Sequence, residues 1–174
     1  ALKFGLKPKV HVNQFTSIGG IQKCVKLNAV SVDHLEIMEE NDISVLKNSN
    51  VMPTILPSCS FFLSIPYAPA RKMIESGLPL ALATDFNPGS TPSFNMGFVI
   101  SLACIKNKML PEEAINAATL NSAIAMEVER DFGSITIGKK ASIIITKPIK
   151  NLAYLPYSFG ENLIDKVFIS GKEI

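Results

Sequence analysis

The sequence predicts an α/β protein assembled from parallel βα units. Short β-branched segments alternate with segments of helical period, and the connections between them are brief. Apolar residues make up 47% of the 174 residues and charged ones only 18%, as expected when strands are covered on both faces. "PKVHVNQ" reads as the first strand and "GGIQKCVKLN" as the helix after it. "AVSVDHL" is a second strand, followed by the polar, helix-like "EIMEENDISVLKNSN", and "VMPTILP" is a third. "YAPARKMIESG" reads as a helix with Gly77 at its C-cap and, in "RKMIESG", a solvated charged face. "LPLALAT" is then the fourth strand.

After Asp85 the period changes. "SFNMGFVISLACIKNKM" and "LPEEAINAATLNSAIAM" read as two consecutive helices, the first packed into the core. Pro111 opens the second, with Glu112 and Glu113 at the positive end of its dipole. From Gly133 onward the composition shifts to short strands: "GSITIGK", "ASIIIT" and "KVFISGKEI". Two domains follow, residues 1–132 and 133–174.

The longest apolar runs are far too short to span a bilayer, so no membrane partner is expected. A net charge of +2 with singly scattered lysines gives no nucleic-acid stripe. Cys24, Cys59 and Cys104 are an odd set without a CxxC pair, which fits reduced thiols in a cytoplasmic protein. Cys59 has no assignable histidine partner and reads as a buried thiol. The chain starts without Met and as if in mid-helix, as a piece of something longer would.

Both histidines repeat one pattern with Asp85. His11 in "KVHVNQF", His34 in "SVDHLE" and Asp85 in "LATDFNPGS" each end an apolar strand and precede a polar or turn-forming stretch. Their spacing fits successive βα units, with "VMPTILP" between the last two. In a parallel βα barrel such strand ends converge on one rim. Imidazole and carboxylate together suit one divalent metal, Zn²⁺ or Fe²⁺. Singly, each histidine reads as a hydrogen-bonded structural residue and Asp85 as an Asx-type turn. Pro88 and Gly89 force a tight turn whose Asn87, Gly89 and Ser90 could meet a small polar substrate.

"HVNQFTSIGG", "AVSVDHLE", "PTILPSCSFFL", "YAPARKMIESGLPLALATDFNPGSTPS" and "PEEAINAATLNSAIAM" together resemble the imidazolonepropionase family of the amidohydrolase superfamily. The resemblance covers nearly the whole chain. It implies the C-terminal half of a TIM-like (β/α)8 metal-dependent hydrolase barrel. "GSITIGKKASIIIT" would then begin the strands of a small composite β-sandwich domain. Ser142 stands where the superfamily usually has Asp.

The implied reaction is hydrolysis of 4-imidazolone-5-propanoate to N-formimidoyl-L-glutamate in histidine degradation. His11 and Asp85 would be metal ligands. Asp85 would also move the water's proton, and His34 would polarise the substrate carbonyl. Gln14 falls where the family has Glu or Gln against the substrate ring, and an amide there can only hydrogen-bond. Asn87, Gly89 and Ser90 match the substrate-binding loop, and the full-length enzyme would be a homodimer.

The family's His-x-His pair and its substrate-binding Arg, Tyr and His from earlier strands have no counterpart in this chain. The piece alone is therefore expected to be inactive. Two other readings stand beside this one: another amidohydrolase, such as a nucleobase-deaminase-like enzyme, and a metal-free binding module that keeps the fold.

Overall fold

The structure is a computed structural model and describes residues 2–174. A short 3-10 turn, Leu2–Phe4, leads into the βα units. Strands β1 (Lys9–Val12), β2 (Ser31–His34), β3 (Met52–Ile55) and β4 (Ala81–Leu82) form one parallel sheet in the order β1-β2-β3-β4. The parallel α/β architecture expected from the sequence is present. Its register sets His11 opposite Asp33 and Val12 opposite His34, and Thr54 opposite Ala81. Both histidine-bearing strands therefore finish at the same level.

The crossovers are α1 (Gly20–Lys26), α2 (Glu40–Lys47), and the pair α3 (Pro57–Leu63) and α4 (Ala70–Glu75). Ile21, Val32, Leu35, Leu46, Ile55, Met73 and Val99 are all fully buried between sheet and helices. Helix α2 is shorter than the sequence suggests. Glu36–Glu39 are drawn into a loop, where the Ile37 amide donates to the Asn13 carbonyl at 2.8 Å. Helix α3 was not expected, although Pro57 at its first turn is a good helix opener. In α4 the C-cap is Ser76, and Gly77 follows it at φ 87, where the left-handed stop favours glycine. The α4 charges are more than a solvated face, since Arg71 Nη1 and Nη2 donate to Glu113 at 3.0 and 2.8 Å.

Helix α5 (Met96–Ile105) is N-capped by the Asn95 side chain, which accepts from the Phe98 amide at 3.1 Å. The second long helix is three pieces: α6 (Pro111–Asn116), a π-helical turn (Ala117–Asn121) and α7 (Ser122–Ala125). The widened turn brings Asn121 Nδ2 to the Leu80 carbonyl at 2.7 Å and Ser122 Oγ to the Leu82 carbonyl at 2.8 Å. The Ala83 amide bonds across to Ile55 on β3. By the alternation of a parallel ladder, Leu80 and Leu82 carbonyls face the other edge of β4. Two side chains thus occupy acceptors that a neighbouring strand would otherwise use.

Beyond residue 133, β5 (Ile143–Thr146), β6 (Ile164–Ile169) and β7 (Lys172–Glu173) form an antiparallel sheet. A short helix, α8 (Tyr154–Tyr157), lies against α5. The strand expected at "GSITIGK" is a correction: these residues form bends, a turn and irregular backbone outside any strand. Its alternating Ile135 and Ile137 are 87% and 105% exposed. Among the described residues no strand lies beside them, and an unpaired strand has no ladder to hold it. No helix among the described residues is long and apolar enough to cross a membrane.

Candidate active site

His11, His34 and Asp85 meet at the C-terminal ends of β1, β2 and β4. Each contributes one ligand atom, and these atoms all lie within 4.8 Å of one another. The two imidazole centroids are also 4.8 Å apart, with ring planes inclined by 52°. The burial is graded: His11 is exposed, Asp85 intermediate and His34 only 3% exposed. Two imidazoles and a carboxylate at this separation fit one divalent cation about 2 Å from each donor. The donor set is of the borderline kind that zinc and ferrous iron accept.

The backbone at these strand tips is unusual. Asn13, His34, Leu35 and Asp85 have φ of 56, 88, 69 and 54. Left-handed conformations of non-glycine residues cost on the order of 1–3 kcal/mol each and persist only where the surroundings enforce them. Those surroundings are identifiable. Asp42, 1% exposed, accepts from Asn13 Nδ2 at 3.1 Å, Gln22 Nε2 at 2.8 Å and the Glu39 amide at 3.1 Å. Asn13 also donates to the Ile37 carbonyl at 2.8 Å. One satisfied buried carboxylate thereby ties the loops after β1 and β2 together.

At the third tip, Ser58 Oγ of α3 donates to the Thr84 carbonyl at 2.9 Å. Asn87 Oδ1 accepts from the Gly89 and Ser90 amides, both at 2.8 Å, and Asn87 Nδ2 donates to the Asp85 carbonyl at 2.7 Å. The Asx turn in this loop is thus built by Asn87 and not by Asp85, which keeps its carboxylate for the site. Ser90 Oγ lies 3.4 Å from Asp85 Oδ2, so Ser90 sits beside the cluster, whereas the Asn87 side chain is committed to the loop. Gln14 Nε2 approaches Cys59 Sγ at 3.5 Å. Cys59 is fully buried, and burial raises its thiol above the ordinary value. It is an inert thiol, as the sequence suggests.

Sequence reasoning missed Glu36, Ser60, Asp42 and Asn13. Glu36 is 6% exposed and accepts from Ser60 Oγ at 2.9 Å. A signal was present in "SVDHLEIM", where a carboxylate sits inside an apolar run directly after a candidate site histidine. Asp42 carried no such signal, because an acidic residue in the first turn of a helix is commonplace.

Residues 9–174 match the amidohydrolase family. Among curated proteins, the imidazolonepropionase of Flavobacterium johnsoniae is 67% identical over 99% of this chain, which covers 42% of that protein. That of Christiangramia forsetii is 63% identical over 100% of the chain and 42% of its own length. That of Alkaliphilus oremlandii is 45% identical over 99% and 41%. The chain therefore spans about two fifths of these relatives, 42% in the first two.

Solved structures that share the fold include these two. One is an adenosine deaminase from Xanthomonas campestris with bound zinc, with TM-score 0.86 and 21% identity over 98% of this chain and 46% of that one. The other is an atrazine chlorohydrolase from Arthrobacter aurescens complexed with zinc and atraton, with TM-score 0.82 and 15% identity over 99% and 44%.

Proposed function

The chain belongs to the amidohydrolase family, and from that premise we propose that it forms part of a metal-dependent hydrolase of 4-imidazolone-5-propanoate. The observation that carries this reading is the meeting of His11, His34 and Asp85 donors within 4.8 Å at three strand tips. The imidazolonepropionase relatives support the substrate. In this reading the four parallel strands are the last four of an eight-stranded barrel, residues 1–132 being its C-terminal part. Residues 133–174 are strands of a composite β-sandwich. The complete enzyme is a cytoplasmic homodimer.

His11 and Asp85 would hold the metal, Zn²⁺ or Fe²⁺. When bound, the cation supplies the Lewis acidity that makes water a nucleophile near neutral pH. Asp85 accepts a proton from the attacking water as the new C–O bond forms at the ring carbonyl carbon. It returns that proton to the ring nitrogen as the C–N bond breaks, leaving N-formimidoyl-L-glutamate. His34 holds the carbonyl oxygen as negative charge develops on it. Gln14 hydrogen-bonds the ring, and Gly89 and Ser90 orient the rest of the substrate beside Asp85.

The test uses the complete polypeptide that carries this chain, loaded with zinc or iron. It is expected to consume imidazolone propanoate. Asp85→Asn and His11→Ala are each expected to lower kcat by roughly a hundredfold or more, since each removes a group that acts in the chemical step. His11→Ala also lowers bound metal. A preference for guanine, cytosine or adenosine would favour the deaminase-like alternative, whose support is the backbone likeness to an adenosine deaminase. A metal-free protein whose ligand binding survives Asp85→Ala would favour the binding module.

A further inference from the structure

One buried carboxylate beside the site has no part in the proposed chemistry. Glu36 lies in the loop after β2 between Leu35 and Ile37, with its side chain 1% exposed. Ser60 Oγ of α3, itself 2% exposed, donates to Glu36 Oε1 at 2.9 Å. Glu36 Oε2 is enclosed and has no hydrogen-bond partner among the described residues. Across from this carboxylate, His34 Nδ1 is likewise enclosed and unpartnered, 3.6 Å from Glu36 Oε1.

Leaving a buried imidazole nitrogen without a partner costs about 1–3 kcal/mol. A separation of 3.6 Å lies just beyond hydrogen-bond range. A shift of a few tenths of an ångström closes it. Ser60 already anchors the carboxylate, so the element free to close the gap is the His34 ring. A ring held at one nitrogen by a carboxyl group has its plane fixed and presents its other nitrogen in one direction.

We infer that Glu36 is a positioning residue: anchored by Ser60, it holds His34 through Nδ1 and leaves Nε2 to the reacting group. This rests on the role proposed above for His34. The α3 helix, unexpected at the level of sequence despite Pro57 at its first turn, thereby acquires a function. It delivers both Ser60 to Glu36 and Ser58 to the Thr84 carbonyl directly before Asp85.

The experiment compares Glu36→Leu and Glu36→Gln in the complete, zinc-loaded polypeptide labelled with ¹⁵N-histidine. An amide reaches Nδ1 with either a donor or an acceptor, so Glu36→Gln keeps the contact, whereas Glu36→Leu removes it. The His34 ring is expected to give one sharp set of ring resonances in the parent and in Glu36→Gln. In Glu36→Leu the set is expected to double or broaden, with kcat roughly tenfold or more lower while KM and zinc content hold. Should Glu36→Leu fail to fold, Ser60→Ala, which frees the carboxylate, is read in the same way.

An undisturbed ring signal and unchanged kcat in the variant that removes the contact would overturn the assignment. So would a Glu36→Gln variant as impaired as Glu36→Leu. The resonances are read without substrate and decide the role of Glu36 by themselves. A parent that leaves imidazolone propanoate untouched counts only against the substrate reading.

Discussion

The histidines and Asp85 are aimed by residues that do no chemistry, and the same division recurs away from the site. Glu113 accepts a two-pronged hydrogen bond from Arg71 and one at 2.7 Å from the Leu110 amide at the start of α6. The Arg71 hydrogen bond, reinforced by the Leu110 amide, holds the Glu113 carboxyl below its ordinary value of 4.5. A carboxyl depressed on folding binds fewer protons in the native state than in the unfolded one. Its contribution is therefore complete above pH 4.5 and disappears as pH falls through the lowered value. Glu113→Gln is expected to be less stable than the parent at neutral pH, with the gap closing under acid. Urea midpoints across the carboxylate range check this, and a gap independent of pH would refute it. His11, His34 and Asp85 were legible in the sequence because chemistry-bearing residues at strand ends stand out against apolar neighbours. Glu36 left only the hint of a carboxylate within an apolar run and Asp42 left none, because what gives them meaning is burial, and burial here depends on a helix and a loop contributed from elsewhere in the chain.

At the scale of elements, the region after β4 shows how a helix can stand in for a strand. The π-helical turn lets Asn121 and Ser122 reach the outward carbonyls of β4, and the chain then folds back so that Gly133 rests on that helix. Gly133 has φ 89, and a Cβ there would lie 2.6 Å from Ala123 Cβ and 3.1 Å from Leu120 Cα. Neither neighbour is a flexible side-chain end, so relief requires moving backbone. Gly133→Ala is expected to destabilise by about 2–4 kcal/mol, backbone strain and overpacking together. A denaturation midpoint equal to the parent's would show that the helix and the turn after it are not packed as described. Strands β1 to β3 were readable from their β-branched residues, β4 from the apolar run "LPLALA", and α1, α4 and α5 from their period. The π-helical turn was not, since "AATLN" has ordinary helical propensity and its contacts to β4 are made by the residues that close it, Asn121 and Ser122. "GSITIGK" misled for a related reason: its alternation is that of a strand, but a strand exists only where a partner completes the ladder.

For the whole molecule, the question is what a four-stranded parallel sheet can do alone. Parallel sheets are normally covered on both faces. The larger hydrophobic cluster packs the crossover helices on the sheet, and among the described residues a second, small one gathers Met52, Ala81 and Ala125. Strand β1 ends the sheet on one side, and an open strand edge invites association. In the loops after β1 and β4, Phe15, Ile18, Phe86 and Phe94 are exposed, as are Ile135 and Ile137 further along the chain. Three aromatic and one branched side chain in water at a site mouth, with an unpaired alternating segment elsewhere, are surfaces suited to further protein. In the proposed reading His11 and Asp85 are the groups of this chain that hold the cation, and His11 is exposed, so a cation bound here alone stays largely in water. The 174-residue chain on its own is thus expected to bind zinc weakly, to self-associate and to show no turnover of imidazolone propanoate. Light scattering, zinc titration and a hydrolysis assay on the isolated chain test this together. A monomer with tight zinc and full turnover would mean that the three strand tips need no further wall, and the barrel reading would fall with that result.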